Sequence, residues 1–218
     1  MNHIFSIKDF KEITNNLNYG QVGIFPTDTI YGLGGRADKL SVIKKVHILK
    51  RRDKKKPLLI LVSSLTMAKK YVKINKKQQN FLCEYWPPYV KALGGKPGAL
   101  TAVLESKDVL PKELTGGTGK IGVRLPDNKF LIKIIRDIGV PLIATSANLS
   151  GEPIALDAKD IKIKADFIVD NGKLLNSKES TVVDLTGSRV VVLREGAVVV
   201  EEFKSLPVSR QVYKVKKS

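Results

Sequence analysis

Short apolar runs alternate along the chain with longer stretches of helical period. Eight runs have the length and Val/Ile content of strands: QVGIF (21–25), LLILV (58–62), ALTAVL (99–104), KIGVRL (120–125), PLIATS (141–146), FIVD (167–170), STVVDL (180–185) and VVVLRE (190–195). Gly, Pro or Asp punctuates them, as strand ends require. Over 38–51, Val42, Ile43, Val46 and Leu49 fall on one face with lysines opposite, which predicts an amphipathic helix. Asn75 is placed to cap a helix running to about Trp86, and 127–138 carries Phe130, Leu131, Ile134, Ile135 and Ile138 at helical spacing. The alternation is that of an α/β protein, and the closely spaced late strands predict a mixed sheet, not a strictly parallel one. No repeat or low-complexity linker divides it. Residues 1–205 read as one domain, and 206–218 as a basic, weakly patterned tail.

Composition narrows the function classes. At 218 residues, 43% of them apolar, the chain supports an ordinary core. The net charge of +17, from 38 Lys and Arg against 21 Asp and Glu, favours a polyanionic partner, although lysine-rich usage alone also raises charge. The single cysteine, Cys83 in FLCEYW, excludes an internal disulfide or a thiolate cluster and reads as a small core residue. His3 and His47 have no ligand spacing. No apolar run approaches a membrane span and MNHIFSIKDF lacks a signal-peptide pattern, so the expected compartment is the cytoplasm.

Two glycine-rich stretches imitate nucleotide motifs. Gly32 to Ala37 fits G-x-G-x-x-A, but Pro26 to Thr29 separates the glycines from the preceding strand. GGTGKIG (116–122) has Leu114 where a P-loop needs its first glycine and Ile121 where it needs Ser or Thr. PTDTIYGLGG (26–35) reads as a strand-to-helix connection whose glycines permit close backbone approach. IATSANLSGEP (143–153) presents Ser146, Asn148 and Ser150 beyond a strand end, where α/β proteins bind ligands. Arg124 lies within an apolar strand, paired structurally or aimed at an anion, and its planar fork suits a carboxylate. Ser180, Thr181 and Arg194 stand at strand ends. In HILKRRDKKKPL (47–58), Lys50 and Arg52 point to nearly opposite sides of a continuous helix. They converge on one anion only if the helix stops near Arg51, which leaves Lys54 to Lys56 as solvated charge.

Taken in order, PTDTIYGLGG, KRR followed by KPLLIL, WP…GALTAVL, GVRLP, PLIATSANLSG and STVVDL…VLREG resemble the YrdC-like family of L-threonylcarbamoyladenylate synthases, from about residue 20 to 197. The resemblance implies a twisted mixed β-sheet flanked by helices around a basic cavity. It implies a nucleotidyltransferase that joins L-threonine, bicarbonate and ATP into threonylcarbamoyl-AMP and pyrophosphate. That product supplies a threonylcarbamoyl-transferase complex that modifies tRNA adenosine. By position it assigns Thr29, Arg124, Ala144 and Thr181 to threonine, and Lys50, Arg52, Ser146, Asn148 and Arg194 to ATP. Lys50 and Arg52 are also the implied catalytic pair. Mg²⁺ would be phosphate-bound, with no metal ligand from protein side chains. The sequence departs from the family pattern at PYVKALGGKP (88–97), inserted after Trp86-Pro87 and read as a surface loop, and at Asn128, which carries no assigned role. The competing readings are a non-catalytic module of the same fold that binds tRNA or double-stranded RNA, and a carbamoyl-transfer domain of the hydrogenase-maturation type. The single cysteine speaks against the latter.

Overall fold

The computed structural model describes residues 3–87, 98–175 and 178–200. The insertion at 88–97 and the tail at 206–218 lie outside them. Within the described residues, ten strands share one sheet. They are β1 (His3–Ser6), β2 (Gly23–Pro26), β3 (Tyr31–Gly34), β4 (Leu59–Leu61), β5 (Leu100–Glu105), β6 (Lys120–Arg124), β7 (Leu142–Ser146), β8 (Phe167–Asp170), β9 (Thr181–Asp184) and β10 (Val191–Arg194). Their spatial order is β1-β8-β2-β3-β7-β4-β6-β5-β9-β10. Parallel pairs (β1–β8, β2–β8, β4–β6, β5–β9) mix with antiparallel ones (β2–β3, β3–β7, β4–β7, β5–β6, β9–β10), so the sheet is mixed as the late strand spacing predicts.

The helices are α1 (Phe10–Asn18), α2 (Leu40–Lys50), α3 (Leu65–Tyr71), α4 (Lys76–Tyr85) and α5 (Lys129–Ile138). Asn75 caps α4 as expected, in a reciprocal capping box with Gln78. Asn128 caps α5 by accepting from the Leu131 amide, and Gly139 ends that helix in the left-handed conformation. All five apolar residues of the α5 stripe are buried, each stabilising the fold by roughly 1.5–3 kcal/mol before chain entropy. α1 packs against α5 through Phe10 and Phe130, with ring centroids 5.6 Å apart. Cys83 is half-buried on α4 and not, as its apolar neighbours suggest, inside the core.

The largest departure from expectation is β3. PTDTIYGLGG is not a strand-to-helix connection but a hairpin: β2 ends at Pro26 and β3 returns antiparallel to it. Gly34 allows this, because a Cβ there would lie 1.6 Å from the Ile143 carbonyl oxygen. With that space empty, β3 pairs with β7 in the register Gly32↔Ser146 and Leu33↔Thr145. The threonine-rich turn and the end of β7 are thereby brought to the same edge of the sheet surface.

Candidate functional site

α2 sets the first piece. Its buried side is Val42, Ile43, Val46, His47 and Lys50, so a lysine continues the apolar stripe and Leu49 sits only at its margin. The helix stops at Lys50, and Arg51 takes a left-handed conformation (φ 49°, ψ 42°) as its C-cap. The Arg52 amide then donates to the His47 carbonyl at 2.9 Å, which turns the chain so that Arg52 lines a cavity. This is the helix ending that convergence of Lys50 and Arg52 requires. Lys54 to Lys56 are exposed, in agreement with the solvated reading.

Lys50 does not face the cavity. Its side chain is buried, and Nζ donates to the Ser146 and Asn148 carbonyls at 2.5 and 2.8 Å. It also lies 3.2 Å from both Ser146 Oγ and Asn148 Oδ1. Every one of these acceptors is neutral. Burial lowers the ammonium pKa to about 8, with the Arg52 charge adding to the fall and Glu179 opposing it. Lys50 therefore clamps the Ser146–Asn148 turn, and the return bond from the Ser150 amide to the Lys50 carbonyl ties the turn to α2. Asn148 Nδ2 is occupied by the Glu152 carbonyl.

The cavity, about 250 Å³, opens along β3, β4, β5, β6, β7, β9 and β10 and the turn that follows β2. Thr29, Arg52, Arg124, Ala144, Ser146 and Arg194 all line it. At one end Arg124 is fixed three ways: Nε to the Gly98 carbonyl (2.6 Å), one terminal nitrogen to Thr29 Oγ1 (2.9 Å) and the other to Asp28 Oδ1 (2.8 Å). At the other end Arg194 donates to the Ser180 carbonyl and pairs with Glu179 at 3.0 Å. Arg52 makes one bond, to the Pro57 carbonyl at 3.1 Å, and its buried Nε has no partner among the described residues. Burial and the Arg194 charge both lower its pKa, so this guanidinium gains most from an incoming anion.

Thr181, like Lys50 and Asn148, is an expected site residue that does not line the cavity. Its hydroxyl donates to the Val198 carbonyl and accepts from the Val198 amide. Strand alternation turns the neighbouring Ser180 and Val182 inward instead. Ser180 Oγ lies 2.9 Å from Thr101 Oγ1 on the cavity wall. Two residues that sequence reasoning passed over, Asp28 and Thr101, thus join the site. Gly196 permits the close approach of the β10 exit, since a Cβ there would meet the Glu179–Thr181 backbone at about 2.4 Å.

No helix among the described residues is long and apolar enough to cross a membrane. Over residues 15–196 the chain matches the Sua5/YciO/YrdC family profile, described as "Telomere recombination". It is 33% identical over 192 residues to a threonylcarbamoyl-AMP synthase of Pyrococcus abyssi and 31% identical over 196 residues to one of Bacillus subtilis. Those matches cover 86% and 87% of this chain, which spans about half (54%) of the length of each relative. A Methanocaldococcus jannaschii protein named putative threonylcarbamoyl-AMP synthase is 32% identical, with 88% of this chain and 86% of that one covered. The solved structure of P. abyssi Sua5 complexed with L-threonine superposes with a TM-score of 0.79 at 29% identity, over 91% of this chain and 58% of that one. E. coli YciO shares the fold, with a TM-score of 0.76 at 23% identity over 90% and 96% of the two chains. Motif order, sheet topology and a match over most of the length agree, and the chain belongs to the Sua5/YciO/YrdC family.

Proposed function

We infer that this chain synthesises L-threonylcarbamoyl-AMP from L-threonine, bicarbonate and ATP, with release of pyrophosphate. The observation that carries this reading is one cavity with two kinds of end. The Thr29–Arg124 end suits an amino acid, and the Arg52–Arg194 end suits phosphates, with the Ser146–Asn148 turn nearby. The P. abyssi structure, alike in fold and complexed with L-threonine, supports threonine as the amino acid.

In this reading the threonine carboxylate meets Arg124. The unprotonated amine attacks the carbon of bicarbonate, with loss of water, or of the carbon dioxide derived from it, with loss of a proton, forming a carbamate. A carbamate oxygen then attacks the α-phosphorus of ATP, and pyrophosphate leaves. The protein supplies no nucleophile and needs none: Arg52 and Arg194 neutralise the triphosphate, and the fixed walls hold the two reactants in line. Among the described residues, the carboxylate that lines the cavity, Glu179, is paired with Arg194, and Asp28 behind the wall is paired with Arg124. That donor set fits a Mg²⁺ that is held by the triphosphate and water, where it supplies further charge neutralisation. The proposal extends to a cytoplasmic setting and to delivery of the product to a threonylcarbamoyl-transferase complex. It also extends to contact with tRNA or double-stranded RNA, for which the +17 charge is the support.

Pyrophosphate release from ATP, with threonine and bicarbonate supplied or omitted in turn, tests the reading. Release should require both. Release that is indifferent to threonine rejects the assignment.

A further inference from the structure

Asn171-Gly172 is the one place in the sequence where glycine follows asparagine. The pair comes directly after β8, and both residues are exposed. Three bonds hold the backbone around it. The Asn171 amide donates to the Tyr31 hydroxyl at 3.1 Å, that hydroxyl donates to the Gly172 carbonyl at 2.7 Å, and the Gly172 amide donates to Asp170 Oδ1 at 2.8 Å. The Asn171 side chain makes no hydrogen bond among the described residues.

This sets an electrophile beside a nucleophile. The Asn171 side-chain carbonyl carbon is free to turn towards the next backbone nitrogen, and that nitrogen already directs its proton at a carboxylate. Gly172 has a φ of +66°, and a Cβ built there would have no atom within 4 Å, so nothing shields the nitrogen on that side. Every other asparagine in the chain is followed by a residue whose side chain crowds the same approach.

We propose that Asn171 is a site of spontaneous modification, where the Gly172 nitrogen closes a succinimide ring that opens to aspartate or isoaspartate and releases the anchor of Tyr31. Ring closure forms the bond from Gly172 N to Asn171 Cγ and breaks Cγ–Nδ2. The Gly172 proton passes through Asp170 or water to the leaving amide, which departs as ammonia. Water then opens the ring. Attack at Cγ leaves aspartate in an unchanged backbone. Attack at the Asn171 backbone carbonyl carbon routes the chain through Cβ and Cγ and frees the α-carboxylate. Only water is consumed and nothing is oxidised or reduced, so the step stands apart from the synthase reading. The isoaspartate route inserts one more carbon between the Asn171 amide and the Gly172 carbonyl, the two groups that the Tyr31 hydroxyl bonds. Tyr31 is only 1% exposed, so displacing that carbonyl leaves its hydroxyl buried without an acceptor. Tyr31 stands between Ile30 and Gly32, which line the cavity, and the loss therefore reaches the cavity wall.

The test is ageing of the full chain at pH 6 and pH 8, followed by peptide mapping in a mass spectrometer and by thermal melting. The peptide that holds residue 171 should show the amide-to-acid mass change before any other asparagine peptide. Conversion should be faster at pH 8, because the attacking nitrogen must lose its proton. Part of the product should resist a protease that cuts before aspartate but not before isoaspartate. The isoaspartate fraction should melt about 2–12 °C below the fresh protein. Asn171→Gln, whose longer side chain would have to close a larger ring, should keep its fresh Tm through the same ageing. Tyr31→Phe should convert at residue 171 and yet lose no further Tm, because the bond that conversion breaks is already gone. Conversion at another asparagine first, a residue 171 that stays intact, or an equal Tm loss in aged Tyr31→Phe would overturn the proposal.

Discussion

Replacing Lys50 by Met separates two roles for the basic signature, direct phosphate contact and clamping of the Ser146–Asn148 turn. The methionine fills the alkyl stem's space but deprives the Ser146 and Asn148 carbonyls of their donor. Each buried acceptor left alone costs about 1–3 kcal/mol, so the pair costs about 2–6 kcal/mol. Against this stands the burial of the ammonium itself. Its pKa falls from 10.5 to about 8, which corresponds to about 3 kcal/mol that favours the uncharged state. The two terms nearly offset, leaving a net loss of at most about 3 kcal/mol. For a chain of this length that lowers Tm by no more than about 12 °C, and a domain with a stability of about 5–15 kcal/mol remains folded at 25 °C. Activity should fall far more, because the turn at the phosphate end of the cavity loses its clamp. Thermal melting followed by kinetics should show kcat/KM for ATP down about 100-fold or more, with KM for threonine within a few-fold of wild type. Wild-type ATP kinetics in a folded Lys50→Met protein would refute the clamp, and so would a threonine defect without an ATP defect.

Three further outcomes follow from particular contacts. Thr181→Val should lower Tm by a few degrees through loss of the Val198 bonds and leave the kinetics within about twofold, whereas Ser180→Ala should cut kcat/KM about tenfold; the reverse pattern would return Thr181 to the site. Gly32→Ala should fold, since its Cβ would meet Thr27, Thr145 and Ala144 at 3.4–3.9 Å, yet raise substrate KM by intruding on the cavity, while Gly34→Ala should fail to fold because its Cβ would collide with the Ile143 carbonyl. His47 is buried with neither ring nitrogen partnered among the described residues, and burial pushes its pKa below 6.5. The unfolded chain therefore binds this proton first as pH falls through about 6.5, and native stability is lost below that pH. Melting at pH 5 and 7.5 should show an acid penalty that His47→Leu reduces, and equal penalties in both proteins would contradict it.

The elements whose apolar pattern is self-contained were legible in the sequence. All eight expected strands and the helices at α2, α4 and α5 occur, down to the Asn75 cap. β3 was not legible because Tyr31–Gly34 contains two glycines and has poor intrinsic strand preference; it becomes a strand only because Gly34 lets it lie against Ile143, a contact 109 residues away in the chain. α1 carries Phe10, Ile13 and Leu17 at helical spacing, a signal passed over among its polar residues; α3 spans only seven residues, and β1 is a short edge strand with mostly exposed residues. Within the site, the need for α2 to stop near Arg51 was readable from spacing, but the direction of Lys50 was not. The signal was present, since Lys50 lies four residues after Val46 and continues the buried stripe. The exchange of Thr181 for Ser180 is a question of register: alternation tells that neighbours face opposite ways, and only the β5–β9 pairing decides which of them faces inward.

Carbon-13 bicarbonate offers the most direct measurement of the central claim. Incubated with the protein, L-threonine and Mg-ATP, the label should appear in a carbonyl carbon that couples to the phosphorus of AMP, and only when all three substrates are present. Pyrophosphate formed without labelled carbon in the adenylate would contradict the account.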